Sequence, residues 1–267
     1  MKVKEFLGFL CCLGLLGLSS CFPFQVIKGD GDLVTQEISI SDYSKIKVSN
    51  GSVNLTYSQS EETPGLTVTV DRNIFDKYDF EVIGSELQIV PKEEYKNTGF
   101  NPTVFTVTTN STGLNKLDVA GSIDFTVNNP LLTDELELDL AGSTKVNFND
   151  SLILNKFDVD IVGSGNLNAP AVAGNSFNGN ISGSGKLILG GQITKASFEI
   201  AGSGTVRAFD LWVDDIKCEI AGSGDIEISV NNSITAEVAG SGRIKYHGDP
   251  QSITKEVAGS GSIKKVD

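Results

Sequence analysis

The chain has 267 residues, 39% of them hydrophobic, so it is long enough for a substantial core and too apolar to be disordered. Its formal charge of −13 argues against phosphate backbones and anionic lipid as electrostatic partners, so no nucleic-acid ligand is expected. The 29 glycines, against 7 prolines, 1 methionine and 1 histidine, describe many tight turns and little acid–base equipment, so no cofactor or catalytic set is expected.

The N-terminus reads as a leader. Lys2 and Lys4 precede an apolar run over residues 6–18, too short to span a bilayer as a helix. It ends in Leu18-Ser19-Ser20-Cys21, which resembles the lipobox of bacterial lipoproteins. That resemblance implies cleavage before Cys21 and a diacylglycerol on its sulfur. Residues 1–20 are then a signal peptide and 21–31 a short tether. Membrane attachment through this anchor places the protein in the cell envelope, at the outer membrane, on a face that the sequence does not decide. Cys11 and Cys12 leave with the leader. A lipidated Cys21 cannot pair with Cys218, so no disulfide is expected, and Cys218 reads as a small buried hydrophobe.

Residues 32–115 form an irregular N-terminal β section. Ile46-Lys47-Val48-Ser49-Asn50-Gly51-Ser52-Val53-Asn54-Leu55 alternates apolar and polar residues around Gly51-Ser52, and Gly84-Ser85-Glu86-Leu87-Gln88-Ile89 ends a second alternating segment. Residues 61–65 and 91–102 are loop-rich.

Residues 116–267 carry a regular repeat. A Gly-Ser pair recurs with its glycine at 121, 142, 163, 183, 202, 222, 240 and 259, at spacings of 21, 21, 20, 19, 20, 18 and 19. Two residues before it stand Val119, Leu140, Ile161, Ile181, Ile200, Ile220, Val238 and Val257. Four residues after it stand Phe125, Val146, Leu167, Leu187, Val206, Ile226, Ile244 and Ile263. Three residues after it the side chains are polar and unrelated, from Asp124 and Lys145 to Arg243 and Ser262. This period of two marks strands with one buried face. A coil of about twenty residues is too short for a β-α-β crossover but fits two or three short strands joined by bends. The expected fold is all-β: a right-handed parallel β-helix, or β-solenoid, of about twenty residues per coil. The serines after each glycine stack as a column, facing either outward or into a corner.

The pattern from Ile46-Lys47-Val48 through Leu87-Gln88-Ile89 to copies such as Ile220-Ala221-Gly222-Ser223-Gly224-Asp225-Ile226 resembles the putative auto-transporter adhesin, head GIN domain family, common among Bacteroidetes. The resemblance implies a β-helical envelope domain with adhesin-like binding. It carries over no catalytic or ligand residues. Asp150-Ser151-Leu152 resembles a three-residue O-glycosylation signal of that phylum.

The expected function is a non-enzymatic adhesin-like or scaffold binding module. Its protein or glycan ligand is unspecified, and self-association is open to it through a charge-guarded C-terminal coil edge. The alternative is a polysaccharide-active β-helix enzyme, which needs clustered carboxylates and aromatic platforms. For that, His247 reads as a surface turn residue, Trp212 as core or edge packing, and Asp214-Asp215 as a solvated pair. Gly183-Ser184-Gly185-Lys186 lacks the first glycine and the Ser/Thr of a phosphate loop, so nucleotide binding is not expected there. A flat array recognising an ordered surface is a third reading, but the paired threonine columns expected for ice are missing.

Overall fold

The computed structural model describes residues 25–267. The alternating segments form strands that pair in parallel with the equivalent residues one repeat away. Leu140 lies opposite Val119 on one side and Ile161 on the other, and Ile200 lies between Ile181 and Ile220. The result is a β-solenoid of about 8 turns with a repeat of roughly 20 residues, as the spacing predicts. The aliphatic columns two residues before and four residues after each glycine are buried up to the last coil. Burying each such side chain is worth about 1.5–3 kcal/mol, and stacking is what brings that burial about.

Further round the coil the core is aromatic. The rings of Phe148, Phe157, Phe177 and Phe198 follow one another at 6.3, 5.2 and 5.1 Å. Phe198 fits because its ladder partner is Gly179, where a Cβ would lie 2.7 Å from the Phe177 ring. In the neighbouring column Ala196 follows Phe177, so the small residue of one column lies beside the large ring of the other and the interior stays filled.

The two glycines of the Gly-Ser-Gly centre have different tasks. The first turns the chain at positive φ, and at Gly222 (φ 135°) a Cβ would meet the Gly202 carbonyl oxygen at 2.4 Å. The second is buried. At Gly224 a Cβ would touch Ile200 at 2.8 Å. Between them the serine N–H groups bond from coil to coil, as from Ser184 to the Gly163 carbonyl at 2.9 Å, while the serine side chains face solvent. The first two repeats carry Ile123 and Thr144 in place of the second glycine. Both are buried, and the Thr144 hydroxyl has no hydrogen-bond partner among the described residues.

The N-terminal section is mixed in direction. Strand Lys45–Gln59 lies parallel to Lys116–Val127 and in register with it, Lys45 opposite Lys116 and Val53 opposite Ile123, with a shift at Asn50-Gly51. The stack therefore starts earlier than the regular repeat does. Between these two strands the chain makes an excursion through residues 60–115. Within it, Gly65–Asp71 pairs antiparallel with Leu33–Ser39 and Phe105–Ser111, and Tyr78–Ile83 pairs antiparallel with Glu86–Pro91. Two short helical turns, the α-helical Arg72–Phe75 and the 3-10 Glu93–Tyr95, sit among them. Within the segment read as a tether, Val26–Lys28 forms a strand parallel to Gly99–Asn101.

Specific side-chain bonds tie this section together. Asp71 is fully buried and accepts from the Gly31 N–H at 2.8 Å, the Thr103 N–H at 2.7 Å and the Thr103 hydroxyl at 2.6 Å. Burial raises its carboxyl pKa, but these donors outweigh burial and hold it below the ordinary carboxylate value. Tyr43 bonds Thr109 at 2.7 Å, and Tyr57 bonds Ser111 at 3.0 Å. Burial pushes the Tyr57 phenol up to about 12.

Candidate functional site

Outward positions of stacked coils form columns that run along the rod, and three surfaces built this way are prominent. The first is the face of the repeat itself. Ala120, Ala141, Ala201, Ala221 and Ala239 are exposed beside the column of exposed serines, making a smooth strip of small residues. The serine ladder faces out, which resolves the choice that the repeat pattern leaves open.

The second surface is where that strip meets the N-terminal excursion. A cleft of about 520 Å³ opens between Ser49–Ser52 and Ala120–Ser122 on one side and Pro91, Lys96 and Phe100 on the other. The bulge at Asn50-Gly51 shapes it. Asn50 stands at φ 57°, its side chain donating to the Thr98 carbonyl and its own carbonyl accepting from the Tyr78 hydroxyl.

The third surface lies on a different part of the coil. Ladder pairing places Leu132, Ile153, Ala173, Gln192 and Trp212 side by side in five successive coils. All five are exposed, Leu132 by 56% and Trp212 by 43%. Two residues further along the chain, at the coil corner where the ladder skips a pair, stand Asp134, Asn155, Asn175 and Thr194, all exposed, and the half-buried Asp214. Their side chains bond along the rod: Asn155 donates to Asp134, Asn175 to Asn155 at 2.7 Å, and Asn231 to Asp214 at 2.9 Å. Beyond Trp212 the ladder continues through Ser229 to His247. Ser229 is buried although it faces outward, and its hydroxyl bonds the Phe209 carbonyl at 2.7 Å.

Trp212, the Asp214-Asp215 pair and His247, weighed one by one in the sequence, fall in one region of the surface. Trp212 is not core packing. It stands at the surface opposite the exposed Gln192, just after Phe209-Asp210-Leu211, where the ladder to the next coil shifts register. His247 closes strand Arg243–His247 with its ring stacked on Phe209, centroids 4.1 Å apart. Asp214 and Asp215 are not simply solvated: Asp215 accepts from Ser233 at 2.6 Å and Asn232 at 2.7 Å, and these bonds lower its pKa. Cys218 is free and fully buried, and burial pushes its thiol pKa up, in keeping with a packing role. The backbone of the Gly183-Ser184-Gly185-Lys186 stretch is occupied in the coil ladder, with Lys186 N–H bonded to the Gly165 carbonyl at 2.8 Å. Ser151 is half-buried in the bend between two strands. Cys21 lies outside the described residues.

Polar side chains on the coil surface mostly pair across coils. Arg243 grips Asp225 with two bonds of 2.7 and 2.8 Å, Lys145 meets Asp124 at 3.1 Å, and Lys116 bridges Glu137 and Asp139 at 3.0 and 2.7 Å. Among the described residues there is no group of three or more His, Cys, Asp or Glu arranged to hold a metal ion, and no helix is long and apolar enough to cross a membrane. At the last coil, strand Ser252–Gly259 is exposed throughout. Ile253 and Val257 show 48% and 43% of their surface. Lys255 occupies the inward column of Cys218 and Ala236 and folds over Tyr246, its ammonium 2.9 Å from the hydroxyl and 4.6 Å from the ring centre.

What sequence reasoning missed is the track formed by the apolar column and its amide–carboxylate partner. The signal was present in the repeat: ten residues before the five glycines from Gly142 to Gly222 come Leu, Ile, Ala, Gln and Trp, and eight before them Asp, Asn, Asn, Thr and Asp. Neither series stands out without knowing which side of the coil it faces.

The architecture has solved relatives. A putative lipid binding protein from Parabacteroides distasonis ATCC 8503 is 36% identical, with a TM-score of 0.86. Putative adhesins from Parabacteroides merdae ATCC 43184 and Parabacteroides distasonis ATCC 8503 are 28% and 30% identical, each with a TM-score of 0.82. In all three cases the match covers 91% of this chain and 100% of the other. No curated protein matches the chain. The family model described as putative auto-transporter adhesin, head GIN domain, matches residues 42–169 and 137–250. The protein belongs to the head GIN domain family of putative auto-transporter adhesins.

Proposed function

We propose that the protein is a non-enzymatic binding module of the cell envelope, anchored by lipid on Cys21 at the outer membrane and presenting its rod to a ligand. The observation that carries this reading is the continuity of the exposed columns. Coil after coil offers the same surface at the same spacing, the arrangement suited to holding an extended or repetitive partner. The adhesin-like family and the adhesin names of its relatives support it. So does the use of surface charge, much of which is spent in pairs between coils.

Two measurements test the reading. Mass spectrometry of the mature N-terminal peptide, with fractionation of cells carrying Cys21→Ala, reads the anchor. A diacylated peptide, and release of the variant from the membrane fraction, are expected. An unmodified Cys21 or unchanged membrane retention overturns the anchor. Adhesion of cells with and without the gene to immobilised glycans and host or bacterial surfaces reads the binding role. Equal adhesion on every surface overturns it.

A further inference from the structure

The track on the third surface has two properties that belong together in few ligands. Along one line it is mainly apolar, with Leu132, Ile153 and Ala173 exposed in three successive coils, then the amide of Gln192, then the indole of Trp212. Along the adjoining coil corner it offers amides, a hydroxyl and carboxylates, from Asp134 through Asn155, Asn175 and Thr194 to Asp214. The lines are two residues apart along the chain, at most roughly 7 Å, and Leu132 to Trp212 spans roughly 20 Å at ordinary strand spacing. A ligand that fits is narrow, extended along the rod axis, apolar on one face and rich in hydroxyls at its edge.

We infer that this track is a binding site for a neutral polysaccharide chain lying along the solenoid. A pyranose ring has an apolar C–H face that packs on an indole or aliphatic side chain, and its hydroxyls pair with Asn and Asp groups able to donate and accept in a row. The rise from one coil to the next is close to the length of one sugar unit in a β-linked chain, so each coil meets about one ring. Charge favours a neutral glycan. The acidic groups at the track are Asp134, Asp214 and the exposed Asp210, while the neighbouring cations Lys156 and Lys195 face Asp158 and Asp215. An acyl chain would require an enclosed apolar groove, which an open line edged by amides does not supply. A protein partner would need about 800 Å² with a dry apolar centre, far wider than one column of side chains. Phe209 and His247, stacked beyond the buried Ser229, extend the apolar line at the Trp212 end.

This inference rests on the binding-module reading and names its ligand class and site. Trp212 is the sole tryptophan of the chain, so tryptophan emission excited beyond the absorption band of the five tyrosines reports on this surface alone. The probes are neutral hexasaccharides of glucose, mannose, galactose, xylose and N-acetylglucosamine, in both linkage anomers where these exist, with oligogalacturonate as the anionic comparator. A saturable change in emission is expected with at least one neutral hexasaccharide and weaker binding of its trisaccharide. By calorimetry, Trp212→Ala should weaken that binding about tenfold, Trp212→Phe less, and Asn175→Ala a few-fold, with melting temperatures unchanged. No response to any neutral member, preference for oligogalacturonate, or binding untouched by Trp212→Ala and Asn175→Ala overturns the inference. Cell adhesion that persists in Trp212→Ala removes this site and leaves the binding-module reading standing. Adhesion that resists competing hexasaccharide but falls in Trp212→Ala assigns the surface to a protein partner instead. Loss of all adhesion differences between cells with and without the gene removes the reading itself.

Discussion

The N-terminal excursion and the regular rod solve the same problem, closing a β-sheet around a core, by different means. The excursion uses non-repeating contacts: a buried carboxylate gripping Gly31 and Thr103, tyrosine hydroxyls bonded to Thr109 and Ser111, and an aromatic cluster in which Tyr78 meets Phe100 and Phe105 edge-on at 5.0 and 5.1 Å. The rod uses one set of contacts many times over, with glycine bends, aliphatic columns and backbone ladders passed from coil to coil. Specific bonds can fix an irregular path because each is made once. A repeated contact fixes only a period, so the rod depends on every coil accepting its neighbours' geometry.

The glycine column is the most direct way to break this contrast. Gly222→Ala combines a φ of 135° with a Cβ 2.4 Å from the Gly202 carbonyl, and a loss of about 3 kcal/mol is expected by chemical denaturation. Gly84→Ala in the excursion has a φ of 64° but open space around the added carbon, so only about 1 kcal/mol is expected there. Equal losses would mean that close stacking is not what makes the rod intolerant.

Acid should separate the regions in the opposite sense. The folded-state pKa of Asp71 lies below its unfolded value. Its stabilisation is therefore complete above the unfolded pKa, near 4, and is lost as pH falls through the folded value. Hydrogen exchange at decreasing pH should show the strands around residues 33–39 and 65–71 opening before the rod, and Asp71→Asn should remove that difference. Simultaneous opening at all pH values would count against it.

Smaller effects sharpen the comparison. Thr144 fills a corner that is glycine in later coils and isoleucine in the preceding one, and its hydroxyl is buried without a partner among the described residues. Thr144→Val should therefore stabilise by about 1 kcal/mol in denaturant melts. At the last coil Lys255 puts a charge on an inward column, a device that discourages edge pairing. Lys255→Ile should change stability by less than about 0.5 kcal/mol, yet shift the protein toward dimers or larger species in light scattering. A variant as monomeric as the parent would show that Lys255 does not guard the edge.

The rod was legible in the sequence because its inward positions are chemically uniform. Ile200 and Ile220 had to share a column whatever the cross-section of the coil, and the glycines had to recur where side chains would collide. The excursion was legible only as alternating segments. The antiparallel partnering of Gly65–Asp71 with two strands depends on residues far apart in the chain, such as Asp71 and Thr103. The same limit applied to the surface, where Trp212 read as packing when taken alone.

The sequence by itself determined the period, the core columns and the family, because hydrophobic burial acts on residue type and recurs with the repeat. Only the tertiary structure decided which outward residues became neighbours. Coil corners and the register shift before Trp212 set where each strand starts and which way it faces, and these depend on how one coil rests on the next. That geometry turned the serine column outward and brought Leu132, Ile153, Ala173, Gln192 and Trp212 into one line beside their amide and carboxylate partners.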